Sequence, residues 1–227
     1  MINLYLIDIF YLVLVLPTLI LSFVAQWYVQ STFDKYSKLK TSFVSNSLVE
    51  NMLAKNDITD VAILKGTGYL SDHFNSKAKT ISLSEPVYEN SSVAALGVAC
   101  HEAGHALQYK DSYLPLRIRS YILPVVNFAS GAALPIALIG LVFSELLLKV
   151  GVILFASTVI FQLLLLPIEF NASKRAINEL DIALSDDEIS GVKKVLTAAA
   201  LTYVASTLVA VANFLRIVLL LNKRNKR

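Results

Sequence analysis

Residues 121–143 read YILPVVNFASGAALPIALIGLVF and contain no charged side chain. After the short break SELLLK, residues 150–168 read VGVILFASTVIFQLLLLPI, again without a charge. Each stretch is about 20 residues long, which is the length that an α-helix needs to cross the hydrocarbon core of a bilayer. Because so short a break joins them, the pair predicts a transmembrane hairpin that returns the chain to the side of the membrane it left.

Two further apolar stretches flank this hairpin. Residues 4–29 include one charge, Asp8, and residues 195–221 include one charge, Arg216. The whole chain has 56% hydrophobic residues and a mean hydropathy of +0.61, which is high for a soluble domain. The first stretch lacks a basic leading region and a clear small-residue cleavage site, so we expect a retained anchor rather than a cleaved signal peptide. The sequence therefore predicts about four transmembrane helices.

The four spans divide the chain into six predicted segments. These are transmembrane helix 1 (1–30), a polar region with short β-strands and one prominent helix (31–119), the transmembrane hairpin of helices 2 and 3 (120–168), a polar helix (169–194), transmembrane helix 4 (195–221) and a basic tail (222–227). Because the hairpin returns the chain to the side it left, the two polar segments are expected on one face of the membrane. The fold class is mainly α, a multi-pass helical membrane protein with a small membrane-proximal α+β region.

The first polar region contains signals for several short elements. Residues 37–55 carry spaced apolar side chains that favour an amphipathic helix. Two apolar runs at 61–64 and 80–83, with glycines between them, predict two strands paired antiparallel. Ser91 or Ser92 can then cap the helix that follows.

That following helix carries the pentapeptide His101-Glu102-Ala103-Gly104-His105. Residues four apart share a helix face, so the imidazoles of His101 and His105 can reach one metal ion. The His-Glu-x-x-His pattern is typical of zinc hydrolases, in which zinc activates water and the glutamate accepts a proton. The sequence therefore predicts a Zn²⁺ centre with Glu102 as the catalytic general base.

A catalytic zinc site needs a third protein ligand and one open position. The chain has one further histidine, His73. The carboxylates after the hairpin are Glu169, Glu179, Asp181, Asp186, Asp187 and Glu188. Glu169 directly follows the apolar run, where an unpartnered charge is costly. One interpretation of this position is that Glu169 binds the metal. The other is that it is an interfacial charge at the start of a helix, where the helix dipole favours it.

Several segments in combination resemble one family over nearly the whole chain. They are LSDHF (70–74), LS (83–84) with VY (87–88), VACHEAGHA (98–106), PIEFNAS (167–173) with RA (175–176), and AAALTYVA (198–205). They are similar to the YugP-like neutral zinc metallopeptidases, which are bacterial membrane proteins. The resemblance implies a gluzincin arrangement in which His101, His105 and Glu169 bind zinc. Related membrane gluzincins of the CAAX prenyl-protease group often have aspartate where this chain has Ser173.

Two other features bear on how a substrate is held. His73 is a candidate donor to the developing oxyanion, and it is also explained as a loop histidine hydrogen-bonded to Asp72 or to the backbone. Residues 80–83, if they form an edge strand beside the metal-binding helix, can hold an extended peptide by strand addition. The expected partners are the lipid bilayer and a peptide or membrane-protein substrate.

The distribution of basic residues predicts the orientation. Lysines and arginines near the span ends are more numerous on the face that carries the two polar segments, which favours a cytoplasmic active site in the bacterial cell membrane. The tail NKRNKR is interpreted as a membrane-flanking cluster, so no nucleic acid partner is expected. A homo-oligomer and a complex with a membrane partner protein are both compatible with the sequence.

Two rival functions follow from other interpretations. The first is a non-proteolytic zinc-binding membrane scaffold or regulator, but the presence of Glu102 disfavours it because a structural zinc site needs no base. The second is a transporter or channel subunit, which the small number of intramembrane charges disfavours. The sequence favours a membrane zinc metallopeptidase that hydrolyses membrane-proximal or hydrophobic substrates.

Overall fold

The computed structural model describes residues 9–225, with the side chains of residues 223–225 excluded. Its elements in chain order are a π-helical turn (Tyr11–Val15), α1 (Leu16–Tyr36), α2 (Ser45–Lys55), β1 (Ala62–Lys65), β2 (His73–Asn75), β3 (Thr80–Leu83), α3 (Val93–Lys110), α4 (Leu114–Phe143), α5 (Glu145–Leu180) and α6 (Asp186–Asn225). The protein is therefore mainly α with a small sheet, as the sequence predicts.

Four helical segments of the described chain are long and apolar enough to cross a membrane. They are Tyr11–Tyr36, Leu114–Phe143, Glu145–Leu180 and Asp186–Asn222. This confirms the prediction of about four spans. The start of the first predicted span, at residues 4–8, and the last two residues of the basic tail, 226–227, lie outside the described residues.

The chain forms two compact units, and each of the four long apolar helical segments contributes residues to both. The apolar unit draws its described residues from the ranges Met1–Gln26, Ile118–Leu166 and Leu201–Arg227. The polar unit comprises Trp27–Arg117 and Pro167–Ala200. The polar unit thus contains chain from before the hairpin and chain from after it.

Within the apolar unit, α4 and α5 form the predicted hairpin, with Ser144 as the only residue between them. The helices approach closely at Gly151, where an added Cβ would lie 2.6 Å from the Cβ of Ala137. Small residues at such a crossing let helix backbones pack in a setting without a hydrophobic driving force between them. Ala137, Leu148 and Ile217 form a buried cluster in this unit.

The polar unit is built around α3, most of whose side chains are buried. The helix begins after Ser92, whose Oγ accepts a hydrogen bond from the backbone N–H of Ala95, so of the two predicted caps Ser92 is the one used. Leu96 on α3 and Met52 on α2 are fully buried in the core of this unit. Burying a side chain of this size stabilises the fold by about 1.5–3 kcal/mol relative to leaving it exposed.

The sheet differs from the prediction. The strand order is β1-β3-β2, and β1 pairs with β3 in parallel, with Ala62 opposite Thr80. The predicted antiparallel pairing is therefore wrong. The antiparallel partner of β3 is β2, a strand that is absent from the prediction. The β2–β3 turn is stabilised by Asn75, whose Oδ1 accepts from the backbone N–H groups of Lys77 and Ala78.

The predicted helix over residues 37–55 is only partly correct, because α2 begins at Ser45. The segment before it forms backbone hydrogen bonds with the chain that leads into α3. The N–H of Thr41 donates to the carbonyl of Ser91, and Lys40 forms an isolated antiparallel bridge with Ser92. This tertiary pairing prevents the first part of the segment from becoming helical.

One continuous helix, α5, carries the chain from the hairpin through Pro167 to Leu180. Its last part packs against α3 in the polar unit, and Gly104 makes the contact possible. A Cβ at Gly104 would lie 2.6 Å from the carbonyl oxygen of Ala172 and 3.2 Å from its Cα. The atoms that such a Cβ would meet belong to the backbone of α5 and cannot rotate away. Any side chain at residue 104 must therefore push the two helices apart.

The close approach leads to a prediction about Gly104→Ala. We expect this substitution to destabilise the protein by about 1–3 kcal/mol, because the added methyl group overpacks the contact between α3 and α5. The measurement is thermal unfolding of the purified protein in detergent. Gly131→Ala is the matched control, since a Cβ there meets nothing within 4 Å apart from the nearby backbone of its own helix. A Gly104→Ala protein as stable as the wild type would contradict the packing argument.

Candidate metal centre

The side chains of His101 and His105 on α3 meet the side chain of Glu169 on α5. Oε2 of Glu169 lies 3.3 Å from Nε2 of His101 and 3.6 Å from Nε2 of His105. One ligand atom from each residue lies within 4.8 Å of the other two. Among residues 9–225, this is the one group of three or more histidine, cysteine and acidic side chains close enough to hold a metal ion.

The outer ring nitrogens of both histidines are engaged with other side chains. Nδ1 of His101 lies 3.1 Å from Oγ of Ser173, and Nδ1 of His105 lies 3.0 Å from Oε1 of Gln108. Metal-binding histidines characteristically use the second nitrogen in this way, which fixes the ring and turns the other nitrogen towards the ion. Two imidazole nitrogens and one carboxylate, with no fourth such ligand in the described part of the chain, match a catalytic zinc site.

Electrostatics at the centre favour a cation. The residues Glu102 and Glu169 are each only 7% exposed, and a buried charge is costly unless it is compensated. Burial alone would lower the pKa of His105, but its hydrogen bond with Glu169 and the negative charges of Glu102 and Glu169 raise it. The centre thus stabilises positive charge. The two imidazoles are about one-eighth exposed, so the centre is not sealed from its surroundings.

Two other candidate ligands, His73 and Glu179, and the cysteine next to His101 are not part of the cluster. His73 is exposed on β2, with Nδ1 2.9 Å from the carbonyl oxygen of Ser71, so the backbone satisfies it. Glu179 forms an ion pair with Lys55 at 3.0 Å. Cys100 is fully buried in the core, and burial raises the pKa of its thiol to about 12. None of these three residues belongs to the His101, His105 and Glu169 cluster.

Arg175 and three neighbouring polar residues form a hydrogen-bonded network beside the metal centre. Arg175 donates to Asn171 at 2.9 Å and to Asp111 at 2.6 Å, and Asn171 accepts from Gln108. The signal for Gln108 was its position three residues after His105, which places both side chains on one helix face. The hydrogen bond between Asn171 and Gln108 of α3 depends on tertiary packing, and no local sequence pattern predicts it.

A pair of histidines four apart, a glutamate beside the first and a carboxylate from a second helix are the residue set typical of zinc hydrolases. The family described as "Putative neutral zinc metallopeptidase" matches residues 11–222, and the chain belongs to this family. A relative from Bacillus subtilis (strain 168), described as "Putative membrane protease YugP", is 44% identical over 223 residues, which cover 95% of this chain and 99% of the relative. No solved structure matches the chain.

The comparisons confirm the family that the sequence motifs indicated. The name of the family supports zinc as the metal, and the His-His-Glu cluster provides a group that can bind it. The relative and the four apolar helices support association with a membrane. Both comparisons support a protease role.

The cluster predicts the outcome of removing its carboxylate. We expect Glu169→Ala to lower the zinc content of the purified protein severely, because the substitution removes one of three ligands. Metal analysis by mass spectrometry after dialysis measures the effect. Glu179→Ala is the control, since Glu179 lies on the same helix but pairs with Lys55, and it should retain zinc. Full zinc content in Glu169→Ala together with loss in Glu179→Ala would assign the third ligand to Glu179 instead.

Proposed function

We propose that the protein is a membrane-bound zinc metallopeptidase that hydrolyses peptide bonds with Glu102 as general base. The observation that carries this proposal is the cluster of His101, His105 and Glu169 with Glu102 adjacent to the first histidine on α3. Zinc, when bound by the three ligands, supplies Lewis acidity that polarises the scissile carbonyl and makes water more acidic.

The role of Glu102 follows from its place and surroundings. It follows His101 on the helix and is largely shielded from solvent. Within the described residues, no lysine or arginine forms an ion pair with it, so its carboxylate is not engaged by a basic side chain. In the proposed reaction, Glu102 takes a proton from the attacking water and gives it to the amine that leaves when the peptide C–N bond breaks.

His73 has a narrower role than the sequence suggested. Because the carbonyl of Ser71 can only accept, the Nδ1 atom of His73 donates in that hydrogen bond. In a neutral ring, Nε2 then carries no proton and cannot donate to an oxyanion. His73 can therefore assist as an oxyanion donor only in its doubly protonated form, and we assign it no required part in catalysis.

Substrate binding by strand addition must involve a different strand from the one expected. The strand β3 is paired on both sides, so the proposed use of residues 80–83 as an edge is wrong. The edge strands are β1 and β2, and β2 packs against α3. We propose that an extended substrate peptide pairs with the free edge of β2.

The chemistry beside this edge favours hydrophobic substrates. Phe74 of β2 and Tyr109 of α3 pack with ring centroids 6.1 Å apart. Tyr109 lies one helical turn beyond His105 and is 49% exposed, so it offers an apolar surface next to a metal ligand. In the sequence, Glu169 directly follows the apolar run that ends at residue 168. We propose membrane proteins or hydrophobic peptides as substrates, cleaved on the cytoplasmic side of a bacterial cell membrane.

Glu102→Gln tests the reaction. We expect this variant to keep its zinc and lose peptide hydrolysis by several orders of magnitude, because the amide cannot accept the proton. Zinc content and cleavage are measured on the same detergent-purified sample. Glu50→Gln, an exposed position on α2, is the matched control and should remain active. Hydrolysis that survives in Glu102→Gln would refute the general-base role.

The choice of substrate in that assay tests the proposed substrate class. A detergent-solubilised membrane protein and soluble casein are offered in parallel to the wild-type enzyme. The proposal expects faster cleavage of the membrane protein. Equal or faster cleavage of casein would show that the enzyme does not select hydrophobic substrates.

A further inference from the structure

The amide of Gln108 connects the second histidine of the motif to α5. Gln108 is fully buried and makes three hydrogen bonds. Its Nε2 lies 2.7 Å from the carbonyl oxygen of Ile168 and 3.0 Å from Oδ1 of Asn171. Its Oε1 lies 3.0 Å from Nδ1 of His105. No atom of this side chain is exposed to solvent, so its polar groups must be satisfied by these neighbours.

The orientation of this amide is determined by two partners whose chemistry is fixed. The backbone carbonyl of Ile168 can only accept, so the Gln108 atom facing it must be the NH₂ group. Arg175 can only donate, and its Nε lies 2.9 Å from Asn171, so the Asn171 atom at that point must be the oxygen. That oxygen also faces Gln108, which again requires the NH₂ group there. Both partners give the same orientation for the Gln108 amide.

The orientation of Gln108 then determines the tautomer of His105. With its nitrogen facing α5, Gln108 presents its oxygen to His105. An amide oxygen only accepts, so Nδ1 of His105 carries the proton. The lone pair of the neutral ring is therefore on Nε2, the atom that points towards Glu169. This is the tautomer that can bind a metal through Nε2.

A salt bridge holds the far end of the same network. Nη1 of Arg175 lies 2.6 Å from Oδ2 of Asp111, the residue that caps the C-terminal end of α3. Arg175 thus connects the end of α3 to Asn171 on α5 while it orients the Asn171 amide. The planar guanidinium group makes both contacts at once through two N–H groups with fixed directions, whereas the ammonium group of a lysine has no such fixed geometry.

We propose that Gln108 is a positioning residue that holds His105 in the Nδ1-protonated tautomer, and that Asn171 and Arg175 maintain the orientation of Gln108. The proposal rests on the proposed function in that it takes the His-His-Glu cluster as the metal centre. It adds a second layer to that centre, assembled from both helices. His101 has a simpler partner, the hydroxyl group of Ser173, which can rotate and either donate or accept.

The test compares Gln108→Leu with the wild type in two measurements that need no catalysis. The first is zinc affinity by competition with a chelator. The loss of an outer-shell partner typically costs about 10- to 100-fold in metal affinity, and we expect a loss of that size. The second is the ¹⁵N NMR spectrum of histidine-labelled, zinc-free protein at alkaline pH. The chain has only three histidines, so single substitutions assign the signals.

In the wild type, we expect the NMR spectrum to show His105 with its proton on Nδ1, and in Gln108→Leu a mixture of both tautomers. Gln162→Leu is the matched control, because Gln162 contacts Ser206 in the apolar unit and should leave both measurements unchanged. Wild-type His105 found with its proton on Nε2 would overturn the proposal. Unchanged zinc affinity in Gln108→Leu would overturn it as well.

A second pair of variants keeps the proposal testable if Gln108→Leu fails to fold. Asn171→Asp retains an oxygen that accepts from both Gln108 and Arg175, so zinc affinity should stay near that of the wild type. Asn171→Leu removes this acceptor and should weaken zinc binding. Equal zinc affinity in the two variants would refute the role of Asn171. If no peptide is ever cleaved but these results hold, the peptidase assignment fails and the positioning role stands.

Discussion

The contact between Gly104 and Ala172 is the constraint on which the rest of the polar unit depends. Gly104 lies between the two histidines on α3, and Ala172 lies between Glu169 and Ser173 on α5. The absence of a side chain at residue 104 lets the two helix backbones touch at the centre of the ligand set. Every distance that defines the metal centre, and every bond from Gln108 to α5, requires this close approach.

Because the helices approach so closely, polar groups in the interface must be satisfied locally. The protein meets this requirement in two layers. Histidine nitrogens and the Glu169 carboxylate face one another, while Ser173, Gln108 and the groups behind them hold the outer ring nitrogens. The carboxylates of Glu102 and Glu169 give the inner layer a negative charge, which favours a cation. The outer layer fixes the orientation of the two imidazole rings towards that cation.

The apolar spans and the His101–His105 motif were predictable because both are local signals with a fixed period or spacing. The third ligand was harder to predict from the sequence. Spacing left Glu169 among several carboxylates, and only the resemblance to a family selected it before the structure showed the three side chains together. A hairpin explains how two polar segments that are separated by two spans in the sequence can belong to one unit.

The remaining features depended on tertiary pairing. The parallel register of β1 with β3 could not be derived, because the short strand β2 takes the antiparallel position and carries little apolar signal of its own. The late start of α2 follows from backbone bonds to the segment before α3. Arg175 forms a salt bridge with Asp111, and its link through Asn171 to Gln108 exists only because α3 and α5 pack together.

X-ray absorption at the zinc edge, measured on the purified full-length protein, tests the metal centre most directly. The account predicts a zinc ion bound by two imidazole nitrogens with oxygen as the remaining ligands, and a clear loss of the imidazole signal in a His101→Ala, His105→Ala double variant. A sulfur ligand from Cys100, or a zinc signal with no imidazole contribution, would contradict the centre built from α3 and α5.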